Sequence, residues 1–201
     1  LALTPGDRLF QELCQVLDRR SVPEILRRHA SGKAGRLSLN VGLATLLSPM
    51  FEKFRQSSRP ESRPGLVLEI NRSDLLHHPR EAAKAIRMAR EAGFEVALDG
   101  VTLDLLAITS LHRLEVDYIK LAMLKSHLSL LKTDECLSSL RRLPKDKIIV
   151  CRCEQEQNIA IGQAFGLTRF QGWQIDRLNG IEPQGVGRGA EDRADDAPPA
   201  V

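Results

Sequence analysis

The sequence predicts an α/β fold in which a parallel sheet is covered by helices, either closed as a barrel or left open and doubly wound. Three observations carry that prediction. Strand-like and helix-like segments alternate along the chain with short connections, the rhythm of βα units. The strand candidate "LVLEI" at residues 66–70 is a continuous apolar run, as a buried parallel strand requires. No G-x-G-x-x-G follows any strand and no P-loop is present, which counts against the dinucleotide-binding version of the open sheet.

The elements follow in order. Residues 7–29 are helical in pattern, with Leu9, Leu13, Val16 and Leu17 on one apolar stripe. Pro23 starts a second short helix within that stretch. "RLSLNV" alternates as a strand ending near Asn40, and Ser48 caps a helix whose first position is Pro49. After "LVLEI" comes "HPREAAKAIRMAREAG", the clearest helix. Pro79 starts it, Ala82, Ile86 and Ala89 line one face, and Gly93 stops it. "FEVALD" reads as a strand from Phe94 to Leu98 ending in Asp99, and "VTLDLLAITSLHRL" as a helix. "VDYIKL" is a strand, "LSLLKTDECLSSLRRL" a helix and "KIIVC" a strand. "EQEQNIAIGQAFG" is a helix stopped by Gly166, and "TRFQGW" is a short strand and turn. From about Asn179 onward Gly, Pro, Asp and Arg dominate, so one domain over residues 1–178 and a disordered polar tail over 179–201 are expected.

Composition limits the function. With 201 residues, 42% hydrophobic and 27% charged, the chain can bury the core of one soluble domain. A formal charge of +3, with scattered basic residues, argues against a nucleic-acid polymer as partner. No apolar run approaches the roughly 18–20 residues that cross a membrane. The start, "LALTPGDRLFQ", shows neither an initiating Met nor a signal-peptide pattern, so a piece of a longer protein is expected. Cys14, Cys136, Cys151 and Cys153 form no disulfide framework or zinc-finger spacing. Buried reduced thiols and a cytoplasmic setting are the expectation.

The C-terminal ends of the strands carry Asn40, Glu69, Asp99, Lys120, Glu154 and Gln171. In a βα barrel, loops at that face build the active site. Oxygen donors converging from several strands suit a hard cation such as Mg²⁺. A lysine beside them suits phosphate charge or the orientation of an attacking water. Plainer roles stand beside these. Asp99 could cap a helix beginning near Val101 or Thr102, and Lys120 could snorkel at the surface. Glu69 is harder to dismiss, because an isolated buried carboxylate is costly.

"LSLNV", "LVLEIN", "VALD…LHRLEVDYIKL" and "FGLTRFQGW" resemble, in order, the motifs of the EAL domain, a family of bacterial phosphodiesterases specific for cyclic di-GMP. The resemblance covers roughly residues 5–180. The interval from Asp99 to Asp117 matches that between the family's D-D-F-G-T-G and the Asp before its K-I-D. The interval from Glu154 to Gln171 matches that from E-G-V-E to Q-G-Y. The resemblance implies a TIM-like (βα)8 barrel, here lacking its first strand, and two divalent cations that activate a water for hydrolysis.

The match is incomplete. Asn40, Glu69 and Asp99 match metal-binding positions, enough for one Mg²⁺ or Mn²⁺ at most. The second Glu of E-L-T-E is Arg72, the second Asp of D-D-F-G-T-G is Gly100, the Asp of K-I-D is Ala122, and the first Glu of E-G-V-E is Cys151. Lys120 and Glu154 match catalytic positions as remnants. Gln171 matches Q-G-Y, with Trp173 as its aromatic, and both could engage a base. The E-A-L segment itself would precede Leu1. Two-metal hydrolysis needs both ions to clamp the attacking and leaving oxygens. The expectation is therefore a catalytically degenerate signalling module needing no cofactor. It would act as a protein-interaction platform or as a non-hydrolysing cyclic di-GMP receptor. The alternative is an active phosphodiesterase releasing linear pGpG. Another signalling protein, an upstream sensory domain or a second copy of the chain are the expected partners.

Overall fold

The computed structural model describes residues 36–181, except 58, 59, 61, 62, 64, 109, 110 and 124, together with positions 20, 21 and 24. Most of the helical stretch expected over residues 7–29 lies outside the described residues, as do Cys14 and residues 182–201 of the expected tail.

Six strands pair in parallel and in sequence order: β1 (Leu37–Asn40), β2 (Leu66–Asn71), β3 (Glu95–Thr102), β4 (Tyr118–Ala122), β5 (Ile148–Cys151) and β6 (Arg169–Phe170). A doubly wound sheet reverses its strand order part-way. This one never does. With right-handed crossovers all running the same way, the helices collect on one face and the other becomes the inside of a curling barrel wall. This is the barrel type of the two expected arrangements.

The two faces differ in chemistry, as the period-2 alternation of strands requires. Toward the helices point Leu39, Leu66, Leu68, Ile70, Val96, Leu98, Ile119, Leu121, Ile148 and Val150, all in one buried core. The alternate residues Asn40, Glu69, Glu95, Tyr118, Lys120 and Arg169 lie on the inner face. At the strand starts, Tyr118 forms the floor of that face. The guanidinium of Arg36, beside one sheet edge, lies 5.2 Å from its ring centroid, and that of Arg169, on the other edge, lies 5.4 Å away. Arg36 also pairs with Glu95, which accepts a hydrogen bond from the Tyr118 hydroxyl at 3.4 Å. Side chains from both edges thus converge on one ring near the middle of the sheet.

Eight α-helices are described: α1 (Leu43–Leu46), α2 (Pro49–Ser57), α3 (Arg72–His77), α4 (Pro79–Glu91), α5 (Leu103–Ile108), α6 (Asp134–Arg142), α7 (Glu156–Ala164) and α8 (Trp173–Leu178). The Ser48 hydroxyl accepts from the Phe51 amide at 3.3 Å, as a cap before Pro49 should. Ala82, Ala85, Ile86 and Ala89 of α4 are buried, and the small side chains let it lie close on the sheet. Phe51, Phe54 and Phe94 form a ring cluster with centroids 5.3–5.8 Å apart, pinning α2 to the start of β3.

Three expectations need correction. The strand read as ending at Leu98 runs on to Thr102, so the following helix starts only at Leu103. The long helix read from residue 128 to 143 is broken at Thr133, whose hydroxyl accepts from the Cys136 amide at 3.4 Å and caps α6; a 3₁₀ segment (Lys125–Lys132) precedes it. Helix α3 was not expected at all. It starts where the Asn71 side chain accepts from the Ser73 amide at 2.9 Å.

The crossing from β6 to α8 passes through Gly172, with φ 148° and ψ 172°. A Cβ there would lie 2.4 Å from the Cys153 amide nitrogen and 2.8 Å from its carbonyl oxygen. That close approach is held by Cys153 N–H donating to the Gln171 carbonyl at 3.1 Å and Gln174 N–H donating to the Cys153 carbonyl at 2.9 Å. Gly172→Ala is expected to cost at least about 2 kcal/mol, from backbone strain plus the clash. Urea denaturation checks this: an unchanged midpoint would mean the pinch is not tight.

Candidate functional site

The site begins with an irregularity in the sheet. Leu98 pairs with Ile119 and Val101 with Leu121, so Asp99 and Gly100 together face the single residue Lys120. This is a β-bulge. Gly100 sits at φ 72°, which the missing Cβ permits. Asp99 faces Lys120 by the register of the strand, and the extra residue shifts Val101 onto the core side. Asp99 is therefore a strand residue, four positions before α5, and caps no helix.

Glu69 is only 5% exposed in its side chain, and a carboxylate so buried needs a partner. Lys120, 12% exposed, supplies it: Nζ donates to Glu69 Oε2 at 2.7 Å and lies 3.5 Å from Asp99 Oδ1. Burial alone would push the Lys120 ammonium down. The Glu69 hydrogen bond and the charges of Glu69 and Asp99 outweigh it, and its pKa is raised. One rung further out stand Ala122 and its register partner Cys151. Burial pushes the Cys151 thiol up to about 12, against the opposing pull of Lys120. Cys151 is thus a neutral thiol at physiological pH; its one proton has two acceptors in reach, the Ile149 carbonyl at 3.5 Å and Gln171 Oε1 at 3.7 Å. Cys136 and Cys153 are also buried, reduced and raised by burial.

The structure joins Glu69, Asp99, Lys120, Cys151 and Gln171 in one inner-face cluster at the strand ends. Asn40 ends β1 as the register partner of Glu69, with its side chain exposed. Glu154 and Trp173 lie outside the cluster. Both are exposed, and among the described residues neither side chain makes a hydrogen bond into it. Glu154 follows Arg152, which holds a left-handed φ of 57° where the family's motif has glycine.

One residue entered the sequence reading only as a loss. Arg72, directly after β2, donates from Nη1 to Thr102 Oγ1 at 2.7 Å. Thr102 is 3% exposed and is the register partner of Ala122. The stem of Arg72 lies over Gly100, with Cγ and Cδ 3.7 Å from where a Cβ would be. Its signal in the sequence was a basic residue at an acidic position, but which residues it meets requires the fold.

A divalent cation fits this cluster poorly. Lys120 already donates to one oxygen of Glu69 and lies 3.5 Å from Asp99, so a metal there would face an ammonium. Among the described residues, no three His, Cys, Asp or Glu side chains gather as a metal site.

The model of the EAL domain matches residues 2–177. The chain belongs to the EAL domain family. No curated protein matches. Among solved structures, this EAL domain is similar to the S helix-GGDEF-EAL portion of Vibrio cholerae LapD bound to c-di-GMP. The identity is 18% and the TM-score 0.66, covering 88% of this chain and 46% of that one. It is similar to the Xanthomonas citri FimX EAL domain in complex with c-di-GMP, at 15% identity and TM-score 0.59, covering 84% and 71%. It also resembles Bacillus subtilis YkuI, a protein with an EAL domain in complex with c-di-GMP and calcium. There the identity is 17% and the TM-score 0.54, covering 87% and 43%. At these identities the likeness is one of fold. The chain spans less than half the length of the LapD and YkuI structures.

Breaking a buried ion pair strands a charge. Lys120→Met is expected to cost about 3–5 kcal/mol, and adding Glu69→Gln to recover much of it. Denaturant titration of the three proteins checks both; equal stability of the single mutant and the wild type would deny the pair. The pH dependence has a definite sign. A raised lysine contributes fully below its ordinary value of 10.5, and the contribution fades as pH rises through the raised value. The stability gap between wild type and Lys120→Met should therefore hold at neutral pH and narrow only in strong alkali.

Proposed function

We propose that this EAL domain is a signalling module of cyclic di-GMP pathways that does not hydrolyse the dinucleotide. The observation that carries the reading is the set of side chains around Lys120. Where two-metal chemistry needs carboxylates with free oxygens, Lys120 engages Glu69 and Asp99, and the neighbouring positions are Gly100, Ala122 and a protonated Cys151. Nothing in that set would hold two ions a few ångströms apart or deprotonate a bridging water.

The module would serve as a non-hydrolysing receptor for cyclic di-GMP or as a platform for another signalling protein. The c-di-GMP bound to the LapD and FimX structures supports the receptor role. An upstream sensory domain and a second copy of the chain are the partners proposed for a cytoplasmic switch of this kind. Among the described residues, no helix is long and apolar enough to cross a membrane. The rival reading, an active phosphodiesterase, draws on the retention of Asn40, Glu69, Asp99 and Lys120. It would require Lys120 to leave Glu69 and a second ion to find ligands elsewhere.

Turnover separates the two. With cyclic di-GMP and millimolar Mg²⁺ or Mn²⁺, the protein is expected to release no linear pGpG above a no-protein control. Sustained hydrolysis would overturn the proposal.

A further inference from the structure

The three changes that strip the mouth of carboxylates are not scattered. Ala122 on β4 and Cys151 on β5 are register partners, Thr102 flanks Ala122 on the other side, and Gly100 on the bulge lies one rung below, opposite Lys120. The guanidinium of Arg72 reaches into that row. It bonds Thr102 beside Ala122, and its stem lies over Gly100. The buried Thr102 hydroxyl takes one N–H and fixes the direction of the group. Among the described residues no carboxylate pairs with Arg72, and its remaining N–H donors stay available. A carboxylate restored at residue 100 would point at the Arg72 stem and one at residue 122 would stand beside Thr102; either could neutralise the guanidinium. The chain instead keeps a fixed positive charge beside neutral side chains.

We propose that Arg72 is the specificity-determining residue of this mouth: its guanidinium binds the phosphodiester oxygens of a cyclic dinucleotide, in place of a divalent cation. The inference rests on the receptor reading above and names how that ligand is held. A guanidinium matches a phosphate with parallel charge-assisted hydrogen bonds, which a compact ammonium cannot reproduce. Lys120 cannot take this part, since Glu69 and Asp99 already engage it. Arg72 positions ligand and carries out no chemical step.

The test is calorimetric titration of the whole chain with cyclic di-GMP in EDTA, repeated in excess Mg²⁺. Wild type is expected to bind equally in both. Arg72→Gln is expected to weaken binding at least tenfold with an unchanged circular dichroism spectrum, and Arg72→Lys to recover only part of the loss. Thr102→Val, which keeps the charge but frees it to swing, is expected to weaken binding several-fold. A role confined to tethering α3 to β3 would lower thermal stability in Arg72→Gln and leave affinity per folded molecule intact, which overturns the proposal. Binding that appears only with Mg²⁺ overturns it too, while sparing the receptor reading. No binding by wild type in either buffer sinks both.

Discussion

The hydrogen-bonded ion pair between Glu69 and Lys120 is the constraint around which the inner face is arranged. A glutamate 5% exposed on a barrel wall has no water to hold its charge. The lysine that satisfies it comes from a strand two places away, so the pair ties β2 to β4 across β3. The register of β3 on β4 places Asp99 beside the same ammonium, 3.5 Å away, and the bulge follows at Gly100. Pair, bulge and Gly100 form one device. Lys120 offsets one of the two carboxylate charges, and an ammonium already seated between them is what argues against a resident metal.

The outer rung follows a different logic. Burial keeps Cys151 protonated, Ala122 is inert, and Gly100 on the rung below has no side chain to contribute. Arg72 then supplies charge of the opposite sign to the one the family's motif places there. On the proposal above, one well-anchored guanidinium among lost carboxylates would turn the ligand preference of the mouth from cations to anions.

Much of the architecture was legible in the sequence, because strands buried by helices announce themselves as apolar runs and the helices by their caps. All six strands fell where expected, as did Pro49, Pro79, Gly93 and Gly166 at helix ends. What failed depended on local backbone geometry. The strand reads as ending at Asp99, yet Gly100, with its left-handed φ, continues β3 through a bulge, and Asp99 caps no helix. Helix α3 hid because its cap, Asn71, belongs to a strand whose end seemed sufficient explanation. In the site, the strand-end polar residues were visible by position. Their pairing was not: Glu69 and Lys120 are 51 residues apart, and Arg72 and Thr102 are 30 apart. Only the register of the sheet converts those separations into contacts.

The central claim is that Lys120, not a metal ion, occupies the space between the carboxylates of this site. The most direct measurement is anomalous diffraction from crystals soaked in millimolar Mn²⁺. The account predicts Lys120 Nζ within hydrogen-bonding distance of Glu69 and no anomalous peak between Glu69 and Asp99. A manganese peak bound by both carboxylates, with Lys120 swung away, would contradict it.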